Sequence, residues 1–245
     1  MIFSGAKEAR KFGCEIAEEI NKGNISFVYK TISVYLDDKN PFRLLDLVGE
    51  ALKNCSHSQL YPFLDMIAKA RSEGGWVVIA STLHSLSEDS THDIFNKCRE
   101  YINQADVWYA CDIFGERVPG PALLSDFDQT LKLLSSWRYD SNPWVRRSVG
   151  VAVHFWAKRT KGEETHQTNA GILLSFISPL FEEKDIRAAK GVGWGLKTIG
   201  RYYSLTAYEW LTNALITEKR HPLAVVKRKA LTYLPDEMKR TFLSE

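Results

Sequence analysis

The sequence is poor in the residue types that build a reactive centre on their own. Its four cysteines, Cys14, Cys55, Cys98 and Cys111, form no Cys-x-x-Cys pair and have no histidine at ligand spacing. That pattern implies neither a zinc site nor a disulfide framework, and points to buried, reduced thiols. No His-Glu-x-x-His segment is present, and no Gly-x4-Gly-Lys-Ser/Thr loop. Gly191 and Gly193 sit in a helix-period run, not after a strand, so they do not resemble a phosphate cradle. No apolar run approaches the roughly 20 residues that span a bilayer, and the start lacks a basic segment followed by an apolar one. The expectation is a cytoplasmic protein with no metal, no cofactor and no membrane association.

Strand signals are equally scarce, with no sustained alternation and no Asn-Gly hairpin. Residues 27–36 are the one ambiguous stretch, because Val28, Ile32 and Val34 suit a helix or a strand. Helical period runs through residues 4–22, 41–54, 59–71, 76–85, 91–102, 106–116, 123–137, 142–159, 169–181, 186–203, 206–217 and 223–234. Short links carrying Gly, Pro, Asn, Asp or Ser join them. Two longer loops are expected: 114–121, with two glycines and two prolines, and the polar segment 161–167. Many short helices without strands stack most simply as antiparallel hairpins, and Trp108, Trp144 and Ile186 recur at a loose period of ~40 residues. The expected fold is therefore all-α: one HEAT-like α-solenoid domain over residues 1–245, monomeric, with a concave basic face.

Charge is unevenly distributed. Residues 1–120 hold 13 Lys+Arg against 17 Asp+Glu, a balance of −4, whereas residues 121–245 hold 19 against 13, a balance of +6. A local surplus of this kind suits one binding face in the second half.

The most informative stretch lies there. Arg187, Lys190, Trp194, Lys197 and Arg201 are spaced three, four, three and four residues apart, so a helix stacks them on one face. Ile186, Ala189, Val192, Leu196, Ile199 and Tyr203 fall on the opposite face, which a core would take. Four cations are costly to bury, so their face must meet solvent or an anion. The tryptophan among them fits two readings: a flat plate between phosphate-binding charges, or a residue at the core edge with snorkelling cations around it.

Two further segments set aromatics beside charge. Trp108 and Asp112 are four apart and share a helix face. Taken alone, Trp108 is expected in the core and Asp112 as an ordinary surface carboxylate. Asn142 followed by Pro143 marks a helix start. Beyond it come Trp144 and Arg147, a cation whose stripe His154 and Lys158 continue.

The order Trp-x3-Asp, Trp-x-x-Arg, Gly-Trp-x-x-basic resembles the DNA alkylation repair family of HEAT-like DNA glycosylases, over about residues 70–240. The resemblance implies hydrolysis of the N-glycosidic bond of N3- or N7-alkylated purines in duplex DNA. It assigns Asp112, Trp108 and Trp194 to the catalytic group and Arg147 to a DNA phosphate. Lys158, Lys190, Lys197 and Arg201 would add sequence-independent affinity for that duplex. The departures are Gly191-Val-Gly193 in place of the family's Ala-x-Gly, Lys197 where Arg is usual, the loop expected at 114–121 after the catalytic helix, and a longer separation of Arg147 from Trp194. A catalytically inactive DNA-binding paralogue and a scaffold binding an acidic peptide are the competing readings.

Overall fold

Val28, Ile32 and Leu36 recur every fourth residue, and the stretch left open between helix and strand is a helix, Ile25–Leu36, with those three side chains as its buried stripe. The computed structural model describes residues 1–37, 39–86 and 91–243. Among them there are helices and no strand.

The helices group into two compact units, Met1–Val118 and Pro119–Glu245. The first contains α1 (Ala6–Asn21), α2 (Ile25–Leu36), α3 (Phe42–Ala51), α4 (His57–Ala70), α5 (Glu73–Ser85), α6 (Thr91–Ala105) and α7 (Trp108–Arg117). Here α1, α3, α5 and α7 pack side by side in one layer, while α2, α4 and α6 form the other. The centre is α5, buried from Gly74 to Leu83 on every side, as a helix lacking a polar face must be. Ser72 caps it by accepting the Gly75 amide at 3.2 Å.

The second unit contains α8 (Pro119–Ser125), α9 (Phe127–Leu134), α10 (Pro143–Thr160), α11 (Gln167–Ile177), α12 (Ile186–Tyr202), α13 (Ser204–Thr212), α14 (Ala224–Leu231) and α15 (Asp236–Leu243). Again α8, α10, α12 and α14 pack in series, and α11 pairs with α13. Two-layered stacking of this kind is consistent with an α-solenoid. The tightest contact joins α10 to α12. A Cβ on Gly150 would lie 2.4 Å from the Gly191 carbonyl, so the two backbones meet where neither has a side chain.

Several expectations are corrected. Residues 114–121 are not a loop: α7 runs through Arg117, and α8 starts at Pro119, in a first turn where proline's missing N–H costs nothing. The helix expected over 123–137 breaks at Asp126, whose carboxylate caps α9 by accepting the Gln129 amide at 3.2 Å. The following residues, Ser136–Tyr139, tighten into a 3-10 turn. Pro41 precedes α3 instead of occupying its first turn, and α15 has no counterpart in the sequence reading. Burial of cysteine holds for Cys55, Cys98 and Cys111, but Cys14 is exposed. Burial pushes the Cys55 thiol up to about 11 and the Cys98 thiol further.

Candidate functional site

In the first unit the chemistry-bearing helix is α7. Ala110, Cys111, Ile113 and Phe114 face inward, and Phe114 fixes the helix between Trp76, with ring centroids 6.0 Å apart, and Tyr101, stacked at 6.2 Å. At its far end Arg117 donates to both carboxylate oxygens of Asp46 at 2.7 and 3.2 Å, and Asp46 also accepts the Ser81 hydroxyl at 2.5 Å. One ion pair thus ties α7 to α3 and α5. Trp108 and Asp112 are excluded from the packed face. Trp108 opens the helix and is 57% exposed, contrary to the expectation of a core tryptophan; Asp112, one turn on, is half-buried. The ring of Trp108 meets the edge of Tyr109, centroids 5.8 Å apart. The pair presents a large apolar plate and a carboxylate on a helix held rigidly from behind.

The second unit holds the other sequence-derived residues. At the start of α10, Asn142 accepts the Trp144 amide at 2.8 Å, as an N-cap should. Arg147 is only 8% exposed, and its Nη1 donates to the Arg187 carbonyl at 3.2 Å. The guanidinium carbons of Arg147 and Arg187 lie 6.0 and 5.6 Å from the Trp144 ring. Arg187 also donates to both oxygens of Asp185 at 3.0 and 2.7 Å. That hydrogen bonding holds the Asp185 carboxyl down at about 2. The departure at Gly191 has a physical reason here, because a Cβ at that position would lie 2.5 Å from the Arg147 carbonyl oxygen and 2.6 Å from its Cγ. The Arg147 stem occupies the room an alanine methyl would need.

Trp194 is half-buried, and His154 stacks on it with centroids 4.0 Å apart at 23°. The Thr198 hydroxyl donates to the Trp194 carbonyl at 3.1 Å, and its oxygen lies 2.6 Å from His154 Nδ1 in a second hydrogen bond. This closed loop of contacts orients both rings. His154, read as part of a cationic stripe, is instead 7% exposed. Burial, and then the charges of Lys158, Lys197 and Lys229, push its pKa down to about 4, so it is neutral at physiological pH. Of the two readings of Trp194, the structure contains a part of each: it is seated at the core edge, yet one ring face rests on a locked imidazole.

Lys158, Lys190 and Arg201 are exposed and Lys197 is half-buried. Two residues of this region were missed in the sequence. Lys229 on α14 donates to the Lys190 carbonyl at 3.0 Å, and Tyr233, 44% exposed, lies beneath Lys197 and Arg201. Only their distance along the chain from α12 hid them. Among the described residues, no three His, Cys, Asp or Glu side chains converge as a metal site would require.

Searches of curated proteins and of solved structures returned no match. A family model described as DNA alkylation repair enzyme matches residues 50–234, well over half of the chain and spanning α7, α10 and α12. The chain belongs to the DNA alkylation repair enzyme family.

Proposed function

We propose that the protein is a DNA glycosylase that hydrolyses the N-glycosidic bond of N3- or N7-alkylated purines in duplex DNA. The observation that carries this reading is the pairing of exposed Trp108 with Asp112 one turn away, on a helix anchored by Phe114 and Arg117. A carboxylate on so firm a support needs little reorganisation during reaction.

An N3- or N7-alkylated purine is already cationic, so it leaves without being protonated. The C1′–N bond breaks, its electron pair neutralises the departing base, and positive charge develops on the deoxyribose. Asp112 stabilises that oxocarbenium-like charge and orients a water, whose oxygen bonds to C1′ while its proton passes to the carboxylate or to solvent. One carboxylate suffices, unlike the two that ordinary glycoside hydrolysis uses. Trp108 and Trp194 act as apolar plates that exclude water from the lesion. Arg147, pre-ordered by its packing, meets a phosphate with little loss of side-chain freedom. Lys158, Lys190, Lys197 and Arg201, on the concave basic face of a HEAT-like solenoid, supply salt-sensitive affinity for the duplex.

The test is release of 7-methylguanine or 3-methyladenine from duplex DNA treated with a methylating agent. Release by the wild type that disappears in Asp112→Asn supports the reading. Salt-sensitive duplex binding without any release would favour a catalytically inactive DNA-binding paralogue.

A further inference from the structure

Lys197 and Arg201, one turn apart on α12, share the ring of Tyr233, and Arg201 also lies 5.3 Å from the ring of Tyr202. Lys197 Nζ lies 4.9 Å and the Arg201 guanidinium carbon 5.1 Å from the centroid of Tyr233, in the segment after α14. Among the described residues neither cation has a carboxylate partner. Two like charges gathered over one ring repel each other, and the ring's quadrupole offsets this only in part. Water offsets part of the remainder at this exposed position, and an anion that touches both cations would offset more.

The ring is placed for this purpose by packing. Val226 and Ala230 are buried on the inner side of α14, and Lys229 reaches back to the Lys190 carbonyl at 3.0 Å. Glycine at 193 keeps α14 close to α12, since a Cβ there would lie 2.9 Å from Lys229 Cδ. Leu231 and Leu234 are buried on either side of Tyr233 in sequence, which pins the segment and leaves the ring outside. More positive charge lies nearby, as Lys158, Lys197 and Lys229 all act on His154.

We infer that Lys197, Arg201 and Tyr233 form a phosphate-binding site on α12 and the segment after α14, in which the tyrosine ring holds the two cations side by side for the backbone of a DNA duplex. The inference rests on the DNA-binding reading above and adds to it Tyr233, a residue that the family motifs do not include. Tyr233 is a positioning residue: it acts through the cations, and its ring is needed while its hydroxyl is not.

The experiment measures binding of the full-length chain to unmodified, fluorescently labelled duplex DNA over a range of salt concentrations. Variants are Tyr233→Phe, Tyr233→Ala, Lys197→Ala/Arg201→Ala and the triple variant, each checked for an unchanged melting temperature. Tyr233→Phe should bind as the wild type does, and Tyr233→Ala about three- to tenfold more weakly. The double variant should lower the slope of log K against log salt by about two. In that background Tyr233→Ala should have no further effect, an outcome that a merely structural tyrosine would not give. A wild-type affinity for Tyr233→Ala, or an equal loss with and without the cations, would overturn this inference alone. Failure of the wild type to bind duplex DNA at all would overturn it together with the DNA-binding reading.

Discussion

The two units divide the charge of the chain between them. The boundary at Val118 and Pro119 coincides with the change from a −4 to a +6 balance, since Pro119 and Gly120 carry no charge. In the first unit the prominent cation, Arg117, is consumed internally by Asp46 and serves to hold α7. In the second, cations fall into two populations. Arg146, Arg187 and Arg220 are paired with Glu183, Asp185 and Glu182. Lys158, Lys190, Lys197 and Arg201 have no ion pair among the described residues. The comparison teaches that net charge marks the unit but does not single out the residues of the proposed binding surface. Arginines next to carboxylates build the fold, and on the proposed reading it is the unpaired cations that are left for an anion.

The sharpest way to break this division is to exchange the effects of its two halves. Asp112→Asn removes a charge at nearly constant volume, so excision should fall by about 100-fold or more. Duplex affinity, measured by anisotropy, should stay the same or tighten slightly because a negative charge is lost. If Asp112→Asn weakened binding as much as catalysis, the carboxylate would be a structural group of the first unit and not its chemical one.

Next in size is the loss of a structural arginine. Arg146 donates to Glu183 at 2.6 and 3.2 Å and to the Asp140 carbonyl at 2.6 Å, and the Glu183 side chain is only 9% exposed. Arg146→Ala leaves that carboxylate buried with one backbone donor, the Asp185 amide at 2.8 Å. Denaturant unfolding should show a loss of about 2–4 kcal/mol. The salt dependence of DNA binding should not change, and a fall in it would place Arg146 among the unpaired cations instead.

His154 gives an effect of slightly smaller size with a definite pH window. Burial lowers its folded-state pKa from 6.5 to about 4, so the unfolded chain takes up the proton first. Stability due to the neutral imidazole is full above pH 6.5 and is lost as pH falls towards 4. The loss is at most about 2–3 kcal/mol. Unfolding of wild type and His154→Gln at pH 7.5, 5.5 and 4.5 isolates it from the carboxylates that titrate in both. The wild type should lose more stability than the variant across that span, and parallel losses would show that His154 is not held neutral by the fold.

How much of this was legible in the sequence follows from the range over which each signal acts. The stripe from Arg187 to Arg201 was legible because one helix fixes the relation of all its members. The break at Asp126 was not, because Leu123, Phe127 and Leu134 continue an apolar rhythm across the cap. Exposure of Trp108 ran against the general tendency of tryptophan to be interior; only the packing of Phe114 against Trp76 and Tyr101 turns that face outward. His154 looked like one more cation, because its stacking partner Trp194 is forty residues away. Tyr233 was invisible for the same reason, as its relation to Lys197 and Arg201 exists only once α14 lies against α12.

The smallest expected effect tests the distinction between paired and unpaired cations on one helix. Lys190 and Arg187 are a single turn apart on α12 and both exposed, yet Asp185 already grips the Arg187 guanidinium at 3.0 and 2.7 Å. Lys190→Ala should lower the slope of log K against log salt by about 0.9, the contribution of one phosphate contact. Arg187→Ala should alter the slope much less, since its charge is largely satisfied within the protein. Titration of unmodified duplex at several salt concentrations separates the two. Equal slopes for both variants would mean that pairing with Asp185 does not withdraw Arg187 from the DNA, and that charge position, not pairing, selects the residues that bind.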